Sequence, residues 1–148
     1  MIINGKSLLE QAPILGMEDK KIRENGFSYG LGEAGYDIRI KESVFLTSHT
    51  RFKLASAVEE FNMPQNLVAI VHDKSTWARR GLSVFNTVIE PGWRGFLTLE
   101  LVYHGNETLQ IPKGTGIAQV MFHEIKEKIS YEGKYQDQET GPQEARFQ

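Results

Sequence analysis

No cysteine occurs anywhere in the 148 residues, and that absence removes disulfides, thiol nucleophiles and thiolate metal sites together. An excess of one charge sign is missing too, since 17 basic and 19 acidic side chains leave a net charge of -2. The basic residues are scattered instead of forming a stripe, which argues against a nucleic-acid partner. No apolar run is long enough to span a bilayer, and no secretory signal opens the chain. The expectation is therefore no membrane association and a cytoplasmic location. At this length a single domain over residues 1–148 is expected.

What is present is a series of short β-like runs. They cover Tyr36 to Ile40, Ser43 to Thr47, Phe52 to Ala57, Leu67 to His72, Ser83 to Ile89, Phe96 to Tyr103, Thr108 to Ile111 and Ile117 to Ile125. Turn signals such as Pro91-Gly92, Gly105-Asn106 and Pro112-Lys113-Gly114 separate them. This spacing predicts an all-β fold, a sandwich, jelly roll or distorted barrel. Two short helices are expected, one over Ser7 to Gln11 with Ser7 as cap and Glu10 at capping-box spacing, the other over Ser75 to Arg80 ended by Gly81. Gly26 to Gly35 carries four glycines among polar residues and reads as a loop. The tail from Glu132 is polar and Gln-rich, a composition that orders only against a ligand or a neighbouring subunit.

One carboxylate stands out. Glu100 lies in Phe96-Leu97-Thr98-Leu99-Glu100-Leu101-Val102, and strand alternation puts it on a face with Phe96, Thr98 and Val102. Enclosure of that face would raise its pKa toward the range where it takes and returns a proton near neutrality, whereas a solvent-facing Glu would stay ordinary. Lys74-Ser75-Thr76 followed by Arg79 and Arg80 supplies hydroxyls and cations suited to a phosphate group, or else a solvated basic turn. His49, His72, His104 and His123 show no metal-ligand spacing, and Trp77 and Trp93 read as packing residues.

Taken in order, four segments resemble the dCTP deaminase branch of the dUTPase superfamily. They are Ala34-Gly35-Tyr36-Asp37-Ile38, Lys74-Ser75-Thr76-Trp77-Ala78-Arg79, Ile89-Glu90-Pro91-Gly92-Trp93-Arg94-Gly95 with Leu99-Glu100, and Lys113-Gly114-Thr115-Gly116-Ile117-Ala118-Gln119. The tail Tyr131-Glu132-Gly133-Lys134-Tyr135-Gln136-Asp137-Gln138 is similar to the deaminase ending and unlike the glycine-rich arm of dUTPases.

The resemblance implies a distorted β-barrel or jelly-roll subunit with short helices, assembled as a homotrimer with interfacial active sites. It implies hydrolytic deamination of dCTP to dUTP without zinc, with Mg2+ accompanying the triphosphate, and dTTP as a candidate inhibitor. The absence of cysteine agrees with a zinc-free route, because the zinc deaminases hold their metal with a Cys pair. Glu100 falls at the general base, with Arg79 and Ser75 holding the water and the carboxylate. Lys74 and Thr76, with Trp77 and Ala78 in the same turn, fall at the phosphate-binding segment, and Glu90 faces the deoxyribose. Thr98 and Leu99 line the nucleotide site, and the base readers fall near Phe85, Asn86 and Thr87. Tyr131, Lys134 and Gln138 would close over the triphosphate, making residues 132–148 a nucleotide-dependent lid. Glu90 stands where the family usually has Asp, one methylene shorter. Two alternatives stay open: a bifunctional enzyme that also splits the triphosphate to dUMP and diphosphate, using Asp37 and Glu90, and a non-catalytic nucleotide-binding trimer.

Overall fold

The computed structural model describes residues 1–147; Gln148, at the end of the expected lid, lies outside the described residues. In chain order the elements are β1 (Ile2–Ile3), α1 (Gly5–Gln11), β2 (Lys21–Glu24), β3 (Phe27–Leu31), β4 (Tyr36–Arg39), β5 (Val44–Leu46), β6 (Phe52–Asn62) and β7 (Leu67–Asp73). They continue as α2 (Ser75–Ala78), β8 (Leu82–Val84), β9 (Val88–Ile89), β10 (Arg94–Tyr103), β11 (Leu109–Ile111) and β12 (Gly116–Glu124).

The strands form a seven-stranded sheet, β2-β3-β4-β12-β7-β9 with β1 added on β12, together with a three-stranded sheet β6-β10-β8 and a β5-β11 pair. All pairings between these strands are antiparallel. One apolar core, with Ile38, Leu46, Phe61, Leu67, Leu99 and Phe122 essentially sealed from water, lies between these layers. The result is a distorted jelly roll. The sheets do not close into a barrel; a single bridge, Ile40 to Ala57, links the end of β4 to β6, and Ile14 in the segment after α1 bridges to Phe61.

Three expectations are corrected. Gly26 to Gly35 is a loop only from Gly32 on: Phe27–Leu31 is a strand, and β2 and β3 form a hairpin whose turn, Asn25-Gly26, has φ of 52° and 81°. Two successive positive φ angles match the right-handed twist of a two-residue hairpin, and Asn-Gly is the pair that adopts them most readily. Ser83 to Ile89 is not one strand, because Phe85 to Thr87 interrupts it. The first helix starts two residues early, with Asn4 at its N-cap and no side-chain capping bond, so Ser7 sits inside it. The tail is placed against the strands, with Gln138 paired in parallel to Gly95 and buried.

Among the described residues no helix is long and apolar enough to cross a membrane.

Candidate active site

The site is built on the free edge of β10. Its other edge pairs with β6 along its length, with a register shift between Phe96 and Thr98. On the free edge β8 reaches only Leu101 to Tyr103. Phe85 N–H still donates to Glu100 O at 2.6 Å, but the next ladder positions are filled by a side chain. Asn86 Nδ2 donates to Thr98 O at 2.9 Å, and Glu100 N–H donates to Asn86 Oδ1 at 3.0 Å. An amide side chain carries the same donor and acceptor as a peptide, so it satisfies the strand while its own backbone turns away.

The tail covers the remaining edge. Phe96 N–H donates to Gln138 O at 2.9 Å, and Gln138 Nε2 donates to Phe96 O at 2.8 Å. Trp93 Nε1 donates to Tyr135 O at 2.7 Å. Gly95 permits this approach: its φ is 143°, and a Cβ there would lie 2.6 Å from Gln138 N.

Between strand, Asn86 turn and tail opens a cavity of about 510 Å3. Glu90, Thr98, Glu100, Tyr131 and Gln138, all singled out from sequence, line it together. Thr98 Oγ1 accepts from Gln138 Nε2 at 3.2 Å and from Gln143 N–H at 3.1 Å. Glu100 is the unusual member. Its Oε2 is sealed from solvent and has no hydrogen-bond partner. Burial pushes its carboxyl above the ordinary range, opposed only by a bond from its own backbone. A partly desolvated carboxylate on a residue that lines a cavity can take a proton from a water bound there.

The other expected site residues lie elsewhere in the chain. Ser75, Thr76, Ala78 and Arg79 are exposed around α2 and do not line the Glu100 cavity. Trp77 and Leu99 are buried in the core; Trp77 stacks on Phe27 with centroids 4.8 Å apart and donates from Nε1 to Gly116 O at 2.9 Å. Lys74 is largely buried, its Nζ donating to Asp37 Oδ2 at 2.6 Å and to Ser28 Oγ at 2.9 Å. Lys74 and Thr76 line a second hollow of about 250 Å3 that shares no residue with the first. Lys134 is exposed, and its Nζ donates to the Arg146 carbonyl.

Sequence reasoning placed residues 132–148 in a lid but singled out none of Tyr135, Gln143 and Glu144, which also line the main cavity. They arrive only because the tail folds back, a placement that local composition does not signal.

A family profile described as dCTP deaminase-like matches residues 36–125. A dCTP deaminase from Protochlamydia amoebophila (strain UWE25) is 35% identical, with 89% of this chain and 90% of that one aligned. One from Helicobacter pylori (strain G27) is 33% identical over 90% of this chain and 89% of its own. Among solved structures, the native EIAV dUTPase superposes with a TM-score of 0.58 at 17% identity, covering 84% of this chain and 94% of that one. A mutant dUTPase from phage phi11 of S. aureus, described with a structural Mg(II) ion, gives 0.59 at 17% identity, covering 77% and 88%.

Proposed function

The chain belongs to the dCTP deaminase family, and we propose that it hydrolyses dCTP to dUTP and ammonia. The observation that carries the reading is the desolvated, unpartnered Oε2 of Glu100 beside a nucleotide-sized cavity. Ionised Glu100 takes a proton from a water, whose oxygen adds to C4 of the cytosine ring while the ring nitrogen N3 gains a proton. The amino group, protonated in turn, leaves as ammonia and C4 becomes a carbonyl. One water is consumed, and Glu100 ends ionised. In this step a positioned carboxylate both removes and returns protons, which requires a pKa nearer neutrality than an exposed Glu provides.

Around that step, Asn86 and Thr87 offer polar groups to the base, Glu90 accepts from the 3′-hydroxyl, and Tyr131, Lys134 and Gln138 close toward the phosphates. Lys134 reaches a nucleotide only if it lets go of the Arg146 carbonyl. The substrate enters as its Mg2+ complex, and the reading uses no zinc. Arg79 and Ser75, assigned to hold the water and carboxylate, lie outside the Glu100 cavity of their own chain. The reading therefore includes a homotrimer in which a neighbouring copy brings them to Glu100. Exposed Phe52, Phe85 and Val88 at or beside the cavity rim support that contact.

A second reading, additional cleavage of the triphosphate, is favoured by one observation: Glu90 is an exposed carboxylate at the cavity. Asp37, its suggested companion, is paired to Lys74 away from that cavity. Incubating the protein with Mg2+ and dCTP, dUTP, dCMP or CTP, with products separated and ammonia counted, tests both. Accumulating dUTP with ammonia supports deamination alone; dUMP and diphosphate from dCTP support both activities. Tight dCTP binding without ammonia would favour the non-catalytic module, with dTTP as a further ligand to try.

A further inference from the structure

The second hollow is walled by Arg23, Phe27 and Ser28 of the first hairpin and by Lys74 and Thr76 at α2. Its construction is rigid on both sides. The Asn25-Gly26 turn fixes the register so that Arg23 lies directly opposite Ser28, and residues opposite each other in an antiparallel pair share a face. Ser28 Oγ accepts from Lys74 Nζ at 2.9 Å, so the lysine head stands on that same face. Phe27 stacks on Trp77 with ring planes 4° apart, which clamps the hairpin onto α2.

The charges in this hollow divide unequally. Lys74 is compensated by Asp37 at 2.6 Å, a pair with only 14% and 7% of its side-chain surfaces exposed. Arg23 is exposed, and among the described residues it forms no salt bridge. The charge at the hollow that no salt bridge engages is therefore the guanidinium on the hairpin, which acts on Glu33 only at longer range, and not the lysine of the α2 turn. Beside it stand the hydroxyls of Thr76 and Ser28.

We propose that Arg23 is a specificity-determining residue that grips the far end of a polyphosphate chain, so that this hollow counts the phosphates of the nucleotide. The proposal rests on the deaminase reading of Lys74 and Thr76 as the phosphate side of the site. A guanidinium presents its N–H groups as a planar fork that matches two oxygens of one phosphate, which an ammonium does not. Lys74, held by Asp37 and Ser28, keeps one N–H for the same chain and sets its depth.

The test uses the full-length protein and its Arg23→Ala and Arg23→Lys variants, with inorganic tripolyphosphate and orthophosphate as calorimetric probes, and dCTP and dCMP as substrates. The wild type binds tripolyphosphate more tightly than orthophosphate. Arg23→Ala weakens tripolyphosphate binding about tenfold, the low end for a charged hydrogen bond because the site is open to water. Arg23→Lys recovers only part of the loss. With dCTP the loss falls on KM, and dCMP is handled as by the wild type.

Equal tripolyphosphate affinity in wild type and Arg23→Ala, no tripolyphosphate binding at all, or equal losses with dCTP and dCMP would each overturn the assignment. The probes keep the two readings separable. Arg23-dependent tripolyphosphate binding without ammonia release would retain this site and remove the deaminase; ammonia release indifferent to Arg23 would do the reverse.

Discussion

At the scale of single residues, one half-buried and one buried carboxylate, Glu100 and Glu59, carry the testable chemistry. Glu100→Gln keeps shape and hydrogen-bonding size but cannot accept the proton, so ammonia release should fall by about 10²- to 10⁴-fold. dCTP binding should persist in that variant. Because burial raises the Glu100 pKa, the acid limb of the rate profile should lie above the usual carboxylate range, activity being lost as pH falls through it. Glu59 lies outside the site. It accepts from Arg39 N–H at 2.7 Å and faces the Arg39 guanidinium, with Nε at 3.4 Å. Burial nevertheless outweighs these contacts and pushes it from 4.5 up to about 7. A raised folded pKa means that its contribution to stability is complete below the unfolded value and is lost as pH rises through the folded one. The wild type should therefore lose up to roughly 3 kcal/mol more than Glu59→Gln between about pH 5 and about pH 8. Urea titrations of both proteins at the two pH values measure the difference; equal slopes would contradict it.

At the scale of elements, the tail forms one wall of the Glu100 cavity. Gly95→Ala would drive a Cβ into the Gln138 backbone and strain a position held at φ 143°, costing about 1–3 kcal/mol. Limited proteolysis should then trim the chain beyond Tyr131 faster than in the wild type, and dCTP should slow trimming of the wild type. Equal cutting throughout would contradict a tail that docks on β10 and closes over nucleotide. Strands β7, β10 and β12 are legible in sequence because long runs of β-branched and apolar residues feed a common core. The β2-β3 hairpin is not, since its strands are short and only partly buried and its register comes from an Asn-Gly turn inside a glycine-rich segment. The break after Val84 is equally hidden, because Asn86 substitutes a side-chain amide for backbone pairing. Glu90, Thr98 and Glu100 are readable as a site because one strand and its preceding turn carry them. Tyr135, Gln143 and Glu144 are not, because amide and backbone hydrogen bonds of a polar tail bring them in, with little apolar burial to mark the sequence.

At the scale of the whole molecule, one chain holds two separate hollows, one lined by Glu100 and the other by Arg23, Lys74 and Thr76. Within one chain, Ser75 and Arg79 stay outside the cavity that contains Glu100. Light scattering on the size-exclusion peak should give three copies per particle. Mixing chains that carry only Glu100→Gln with chains that carry only Arg79→Ala should restore part of the activity lost in each; a monomer active by itself would contradict shared sites. The most direct measurement is ammonia released from Mg·dCTP by the wild type and by Glu100→Gln, side by side in metal-chelated buffer resupplied with magnesium alone. The account predicts stoichiometric ammonia with the uracil nucleotide from the wild type and a near-complete loss in the variant. Equal rates in the two proteins, or no ammonia from a wild type that binds dCTP, would contradict it.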